Sequence, residues 1–278
     1  MTMSQSPVRQ RVTRATMRTL NDLRHRAQDA GLLVGAADYT RFVCVGSPRT
    51  GSTLLLRSLN NHSQIIGYGE IVKNDDRYPG HYHEFGHSEA LFRHDPAAFL
   101  RTKVFRKYPS AIGAVGFKIF YHHAPRETAW GRAVWDYLLG LPDLKLLHLK
   151  RRNLLKTYLS RQQAGESGEY IKYSANGDKP LRLDPAEALA FFESARAAEA
   201  QYDILLKGRP LIDVIYEDLT RDYAAEMGRI QSFLGVAYED VNPGTEKRPG
   251  RSLASQIENY AELKQGFGGT PWESFFSE

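Results

Sequence analysis

A short apolar run, Phe42-Val43-Cys44-Val45, breaks off into Gly46-Ser47-Pro48-Arg49-Thr50-Gly51-Ser52-Thr53 and resumes as TLLLRSLNN. That succession reads as strand, tight loop and helix, the opening of an α/β unit. The two glycines stand at the spacing of a GxxxxGK[ST] phosphate loop, with Thr53 where the motif ends and Ser52 in place of its lysine. The physical requirement survives that replacement. Glycines let successive backbone N–H groups point inward, and the following helix offers its positive end to an anion. Arg49 supplies a cation from within the loop, while Ser52 and Thr53 donate hydroxyl hydrogen bonds. The competing reading is a plain turn. Loss of the lysine counts against an ordinary ATPase or kinase, because that side chain bridges the β- and γ-phosphates. The run Val214-Ile215-Tyr216-Glu217-Asp218 still ends in acids, which keeps a nucleotide kinase open.

The alternation recurs along the chain. Val115 to Phe120 reads as a strand, and ETAWGRAVWDYLLG as a helix with Trp130, Val134, Tyr137 and Leu138 on one face. LKLLHLK at 144–150 is a further strand, followed by NLLKTYLSRQQA with Leu155, Tyr158 and Leu159 on one side. Asp184, with Pro185 next and Glu187 three residues on, predicts a long helix from about 185 to 207. LIDVIYEDL supplies another strand, and Thr220 is the expected cap of a helix carrying Met227, Ile230 and Leu234 and ending at Gly235. An amphipathic helix is expected over about 13–30, from Met17, Leu20, Leu23 and Ala27. Residues 71–110, rich in Tyr, His, Asp, Gly and Pro, read as a loop-dominated insertion over a site, and 167–183 as a hairpin or loop. GTEKRPGRSLASQIENYAEL reads as a basic loop running into a short helix. No repeat or composition break divides 1–278, so a single domain is expected. Its fold class is α/β, a P-loop-type, mostly parallel sheet flanked by helices on both faces.

Composition enters as a set of exclusions. A chain of 278 residues with 42% hydrophobic residues buries roughly 75% of its extended surface and needs no covalent staple. The single Cys44 cannot form an intrachain disulfide or a Cys-ligated zinc site, and its apolar setting suits a buried small hydrophobe. No stretch reaches the ~20 apolar residues of a membrane span, and the start lacks the apolar core of a signal peptide, so a cytoplasmic location is expected. A net charge of +5 is too weak a bias to argue for nucleic acid. Its distribution says more, because Lys145, Lys150, Arg151, Arg152, Lys156 and Arg161 fall within 17 positions that hold no acid.

The loop and this basic run together resemble the sulfotransferases that use 3′-phosphoadenosine 5′-phosphosulfate (PAPS) and release its product PAP. In that family a PRxGxT or PKxGTT loop holds the 5′-phosphosulfate, and here Pro48, Arg49, Thr50, Gly51, Ser52 and Thr53 form it. An arginine after a strand and a serine eight residues later hold the 3′-phosphate, and Arg152 and Ser160 keep that spacing. The GE pair Gly69-Glu70, the phrase GFKIFYHHA with Lys118, and the ending RSLASQIENYAEL are similar to the bacterial glycan or nodulation-factor branch, with similarity also to tyrosylprotein sulfotransferases. The resemblance covers about residues 40–265. Arg49 departs from the lysine of the cytosolic small-molecule branch, whose histidine motif has no counterpart here, and no adenine-stacking aromatic is identifiable.

The resemblance implies an in-line transfer of the sulfuryl group to a hydroxyl of a glycan, glycolipid or small natural product. For that chemistry Glu70 is the expected general base and Arg49 and Lys118 the expected stabilisers of the sulfonate and leaving oxygen, while His122 and His123 either orient an acceptor or close a loop. Lys247 and Arg248, with Thr245 and Arg251, correspond to the loop that closes over the 3′-phosphate. Residues 71–110 would then form an acceptor-side insertion, and around that side Tyr68, Tyr78, Tyr82 and Tyr121 could stack on a ring or be partly buried packing residues. No metal, transmembrane segment or nucleic-acid partner is expected, and a homo-oligomer is open. A zinc site at His81, His83 and His87 has the donor count but sits in loop sequence. The alternatives are a Mg²⁺-dependent P-loop kinase or other NTP-using enzyme, and an anion- or nucleic-acid-binding protein using the 145–161 face.

Overall fold

A computed structural model describes residues 35–73, 85, 88–167, 179–242 and 251–277. The helix expected over 13–30, Tyr78 and Tyr82, the three histidines His81, His83 and His87, and Thr245, Lys247 and Arg248 lie outside the described residues.

Five parallel strands form one sheet: β1 (Thr40–Gly46), β2 (Ile65–Tyr68), β3 (Ala114–Phe120), β4 (Lys145–Lys150) and β5 (Leu211–Ile215), in the spatial order β2-β3-β1-β4-β5. Parallel strands need helical crossovers that cover both faces, so both sides of each inner strand must be apolar. β1 meets that demand with Val43 and Val45 on one face and Phe42 and Cys44 on the other, all buried. On the first face Val43, Val45, Phe117, Ile119 and Leu146 pack with Val134, Trp135 and Leu138 of α4 (Ala129–Gly140). On the second, Phe42, Cys44, Leu147 and Val214 pack with Leu55 and Leu59 of α1 (Ser52–Asn60) and Met227, Ile230 and Leu234 of α8 (Tyr223–Leu234). This is the α/β architecture with helices on both faces that the alternation implied.

The 71–110 segment is not loop-dominated throughout. It holds α2 (Glu89–His94), α3 (Pro96–Phe99) and a π-helical turn (Leu100–Val104), whose Phe92, Phe99, Leu100 and Val104 join the first core. Each piece is shorter than two helical turns, too short for a period to emerge from the sequence. β2, four residues ending at Tyr68, escaped notice for the same reason. On α4 the buried positions are Gly131, Val134, Trp135 and Leu138, so the core face is turned toward Trp135, whose Nε1–H donates to the Ala124 carbonyl at 3.0 Å.

α6 (Pro185–Leu205) begins where its cap predicts: the Asp184 carboxylate accepts from Ala186 N–H and Glu187 N–H at 2.8 and 2.9 Å. The last strand is shorter than expected, because Tyr216, Glu217 and Asp218 already belong to α7 (Tyr216–Arg221). Thr220 lies inside α7 and does not cap α8. Asp222 does, accepting from Ala225 N–H at 3.2 Å. α5 (Leu154–Ser167) follows β4 and is packed by α6 and by α9 (Leu253–Gln256), α10 (Tyr260–Gly266) and a final 3-10 turn (Glu273–Phe276), through Leu155, Leu159, Phe192, Ile257, Phe267 and Phe275.

Between sheet and α6 lies a polar clamp. Lys150 reaches Asp203 at 2.7 Å and Asp213 at 3.0 Å, buried His148 meets the Tyr121 hydroxyl at 2.6 Å, and Arg196 donates to the Arg152 carbonyl at 3.0 Å. These contacts fix how the chain leaves β4.

Close approach of β1 and β3 depends on Gly116. A Cβ there would lie 2.2 Å from the Phe42 carbonyl oxygen and 2.5 Å from its ring, with backbone unable to yield. Gly116→Ala is expected to destabilise the fold by about 2–3 kcal/mol or more, read as a lower urea midpoint with an unchanged m-value.

Candidate active site

After β1 the chain turns toward β2 and β3, and after β4 it turns toward β5. The carboxyl ends of β1 and β4, adjacent strands whose connections depart in opposite directions, therefore frame a crevice at the topological switch point.

The β1 loop enters this crevice in a conformation that L-residues rarely adopt. Arg49 has φ 68° and Gly51 φ 86°. At Gly51 a side chain is excluded twice, by the positive φ and by the Tyr216 ring, which a Cβ would approach to 2.4 Å. No side chain caps α1, so its first amides and positive helix end remain available to a ligand.

The β4 loop holds this turn in place. Arg151 NH1 donates to the Arg49 carbonyl at 3.0 Å, and its guanidinium lies over the Tyr216 ring, 4.5 Å from the centroid. Arg49 Nε in turn donates to Ser160 Oγ on α5 at 2.9 Å. Residues 111 positions apart thus meet directly. Burial lowers the proton affinity of both guanidinium groups, and in Arg151 the neighbouring Arg49 adds to it. Arg151 Nε is buried without a hydrogen-bond partner, its nearest carboxylate oxygen being on Glu217 at 4.0 Å. Two desolvated cations side by side, one with an unmet donor, are an arrangement that a bound anion stabilises.

Arg152 is placed differently. Its backbone N–H and that of Asn153 donate to Glu217 at 3.0 and 3.2 Å, while its exposed guanidinium forms a bidentate pair with Asp218 at 2.9 and 2.5 Å. Arg221 also pairs with Asp218, at 2.7 Å. Arg49, Ser160 and the β4 loop are brought together, with the Arg152 side chain turned toward α7. Of the two residues before it, neither is simply solvated: Lys150 belongs to the clamp and Arg151 to the loop.

A second cluster stands at the ends of β2 and β3. Pairing of Tyr68 with Phe117 carries Gly69-Glu70 alongside Lys118, whose N–H faces the Gly69 carbonyl at 3.4 Å. Lys118 points to the α1 side with Cys44, its partner in the β1–β3 register, and its Nζ lies 3.1 Å from Glu70 Oε1. An ammonium at 8% exposure inside an apolar strand is costly unless paired, and Glu70 provides the pair. Cys44 is buried, its thiol pushed up to about 12, so it packs as a hydrophobe. The histidine at Glu70 is His123, with Nε2 3.5 Å from Oε2. Exposed His122 instead stacks on the Phe120 ring and meets His123 edge-on at 4.6 Å between centroids. Tyr68 bonds the Tyr108 hydroxyl at 2.9 Å and Tyr121 bonds His148, so both hydroxyls are engaged by protein partners.

Arg151, Tyr216 and His123 are the residues whose part sequence reasoning missed. The doubled arginine and the glycine requirement at 51 were visible signals, but the ring that Arg151 stacks on, Tyr216, comes from the start of α7, 65 residues further along the chain. Among the described residues the one cluster with metal-ligand spacing, His148, Asp203 and Asp213, carries the Lys150 ammonium against both carboxylates.

A crevice of this kind, cationic on one side and carrying a paired carboxylate on the next strands, suits a group-transfer enzyme with an anionic donor. Residues 41–240 match the Sulfotransferase family, and the chain belongs to it. It is an enzyme of sulfate-group transfer. Nodulation protein H of Rhizobium tropici is 29% identical over 247 residues, 84% of this chain and 92% of that protein. Nodulation protein H of Rhizobium meliloti strain 1021 is 25% identical, over 84% and 94%. Among solved structures, a sulfotransferase from Alicyclobacillus acidocaldarius superimposes with a TM-score of 0.48 at 19% identity, over 82% of this chain and 91% of that one. Mouse sulfotransferase SULT7A1, complexed with PAP, gives 0.41 at 14% identity, over 74% and 61%. Family membership sets aside the kinase and nucleic-acid alternatives. No helix among the described residues is long and apolar enough to cross a membrane.

Two buried histidines make stability depend on pH. Burial pushes His123 down to about 3, helped by His122, Lys73 and Lys118, and His148 down to about 4, helped by Lys150. Between pH 6.5 and those values the unfolded chain binds protons that the folded one refuses, so stability falls as pH falls through this window. Urea unfolding at pH 7 and pH 5 should differ by on the order of 1–2 kcal/mol per histidine, and His123→Gln should make the decline shallower.

Proposed function

We propose that this enzyme transfers the sulfuryl group of PAPS to a hydroxyl of a glycan, glycolipid or small natural product, with Glu70 as general base. The observation that carries the reading is the meeting of the two arginine loops, Arg49 bonded to Ser160 and Arg151 bonded to the Arg49 carbonyl. A nucleotide with phosphate charge at both ends of its ribose needs two cationic patches in one crevice, and the Arg151 Nε without a hydrogen-bond partner and the uncapped α1 fit such a ligand.

When bound, PAPS supplies an activated sulfuryl group and a phosphate leaving group. The 48–53 loop works as a P-loop-type anion cradle: Arg49, the amides of Thr50 and Gly51, and the Ser52 and Thr53 hydroxyls bind the phosphosulfate end. Ser160 and Arg152 serve the 3′-phosphate, and Arg152 exchanges Asp218 for the ligand as it does so. Lys247 and Arg248 are further proposed ligands of the nucleotide. Lys118, paired with Glu70, holds the carboxylate before reaction and stabilises the sulfonate during it. Glu70 accepts the acceptor's hydroxyl proton. His122, exposed at the same rim, contacts the acceptor. The similarity of Gly69-Glu70 and of the GFKIFYHHA phrase to the bacterial glycan or nodulation-factor branch supports a glycan or glycolipid acceptor, as does the lack of the histidine motif of the cytosolic branch. A cytoplasmic site of action and a single domain over 1–278 complete the reading.

Glu70→Gln should lower turnover by about 10²- to 10⁴-fold while PAP still raises the melting temperature. Loss of the PAP-induced shift would make Glu70 a structural residue. Arg49→Ala and Arg151→Ala should each weaken PAP binding by about tenfold or more, corresponding to the loss of a charge-assisted hydrogen bond. A larger thermal shift with ATP plus Mg²⁺ than with PAP would overturn the donor assignment.

A further inference from the structure

Glu70 leaves the end of β2 in a turn, with a quarter of its side chain exposed, and Lys118 ties only one of its two oxygens. A carboxylate held at one oxygen can rotate about its last bond, so the lone pair that receives a proton has no fixed direction. The second oxygen faces His123 Nε2 at 3.5 Å. We infer that His123 is a positioning residue: its Nε2–H aligns the Glu70 carboxylate, so that the base meets the acceptor hydroxyl in one orientation. The inference rests on Glu70 being the base.

The tautomer follows from the backbone. Phe120 N–H points at His123 Nδ1 at 3.2 Å, and the His123 N–H returns to the Phe120 carbonyl at 2.9 Å. An amide N–H can only donate, so Nδ1 is an acceptor and carries no proton. The ring proton is therefore on Nε2, the atom that faces Glu70. An imidazolium would set an Nδ1–H against the Phe120 N–H. The side chain is 1% exposed, and the charged or titratable groups around it, Lys118 on β3, Lys73 beyond β2 and the adjacent His122, all oppose a second positive charge. Among the described residues, the carboxylate that faces it is Glu70. At 3.5 Å the Nε2 to Oε2 contact is longer than a formed hydrogen bond, and contacts of this kind tighten in the ligated enzyme. A donor without net charge aligns the carboxylate without the strong attraction of a second cation, which would make the base weaker.

Two measurements on the full chain test this. In wild-type enzyme labelled with ¹³C,¹⁵N-histidine, NMR should give His123 the Nε2–H tautomer, unchanged from pH 5 to 8; an Nδ1–H tautomer or a titrating imidazolium would overturn the inference. In kinetics, His123→Ala should lower kcat about 10- to 100-fold with the PAP dissociation constant within twofold of wild type. His123→Gln, whose amide N–H reaches the same oxygen, should recover most of the rate. In a Glu70→Gln background His123→Ala should have no further effect on kcat. Equal loss in Ala and Gln variants, or loss of PAP affinity with kcat retained, would sink it. A Glu70→Gln enzyme that stays fully active removes the base itself, and with it this role, whereas an inactive Glu70→Gln alongside a fully active His123→Ala overturns the positioning role alone.

Discussion

The hydrogen bond from Arg151 to the Arg49 carbonyl links two loops that the chain reaches 100 residues apart, and the rest of the crevice takes its shape from it. Arg49 sits at φ 68°, a backbone state that costs a side-chain-bearing residue on the order of 1 kcal/mol or more. Something outside the loop has to hold it there. Arg151 does so from β4, and Arg151 is itself pressed between that carbonyl and the Tyr216 ring at the end of β5. Parallel pairing of β1 with β4 and of β4 with β5 makes this possible, because it delivers all three strand ends to the same edge of the sheet.

The same logic, with different chemistry, applies one strand over. β2 and β3 deliver Glu70 and Lys118 as a carboxylate–ammonium pair whose members are each costly to leave alone. The Arg49–Arg151 cluster and the Glu70–Lys118 pair thus come from neighbouring strand pairs on one sheet. The spacing between them is set by backbone pairing rather than by flexible side chains, and group transfer depends on positioning of that kind.

Much of this was legible in the sequence, for physical reasons that differ from residue to residue. Strands β1, β3, β4 and β5 announce themselves as apolar runs because a sheet covered on both faces admits nothing else, and α6 announces itself through the Asp184 cap. The turn between β1 and α1 could be read because its glycines constrain the local backbone, whereas the Arg152–Ser160 spacing did not foretell their partners: Ser160 meets Arg49 and Arg152 meets Asp218. What could not be read is whatever depends on pairing at a distance. β2 has only four residues, and α2, α3 and the π-turn are each under two turns, so no period forms. His122 and His123 are neighbours in sequence with opposite surroundings, one exposed and one buried against Glu70, and nothing local distinguishes them. Arg151 and Arg152 pose the same problem, since strand direction sends the first under the β1 loop and the second out to Asp218.

Tyr216 carries one last consequence. The stretch from Gly46 to Thr53 looks like a portable cassette, a self-contained signature that could be moved to another scaffold. Its floor is an aromatic ring from the far end of the chain and its brace is an arginine from a third strand, so the cassette owns neither of the parts that keep it in shape. Transplanted alone onto a foreign strand–helix junction, those eight residues would lose both supports that hold Arg49 and Gly51 at positive φ and would relax into an ordinary bend.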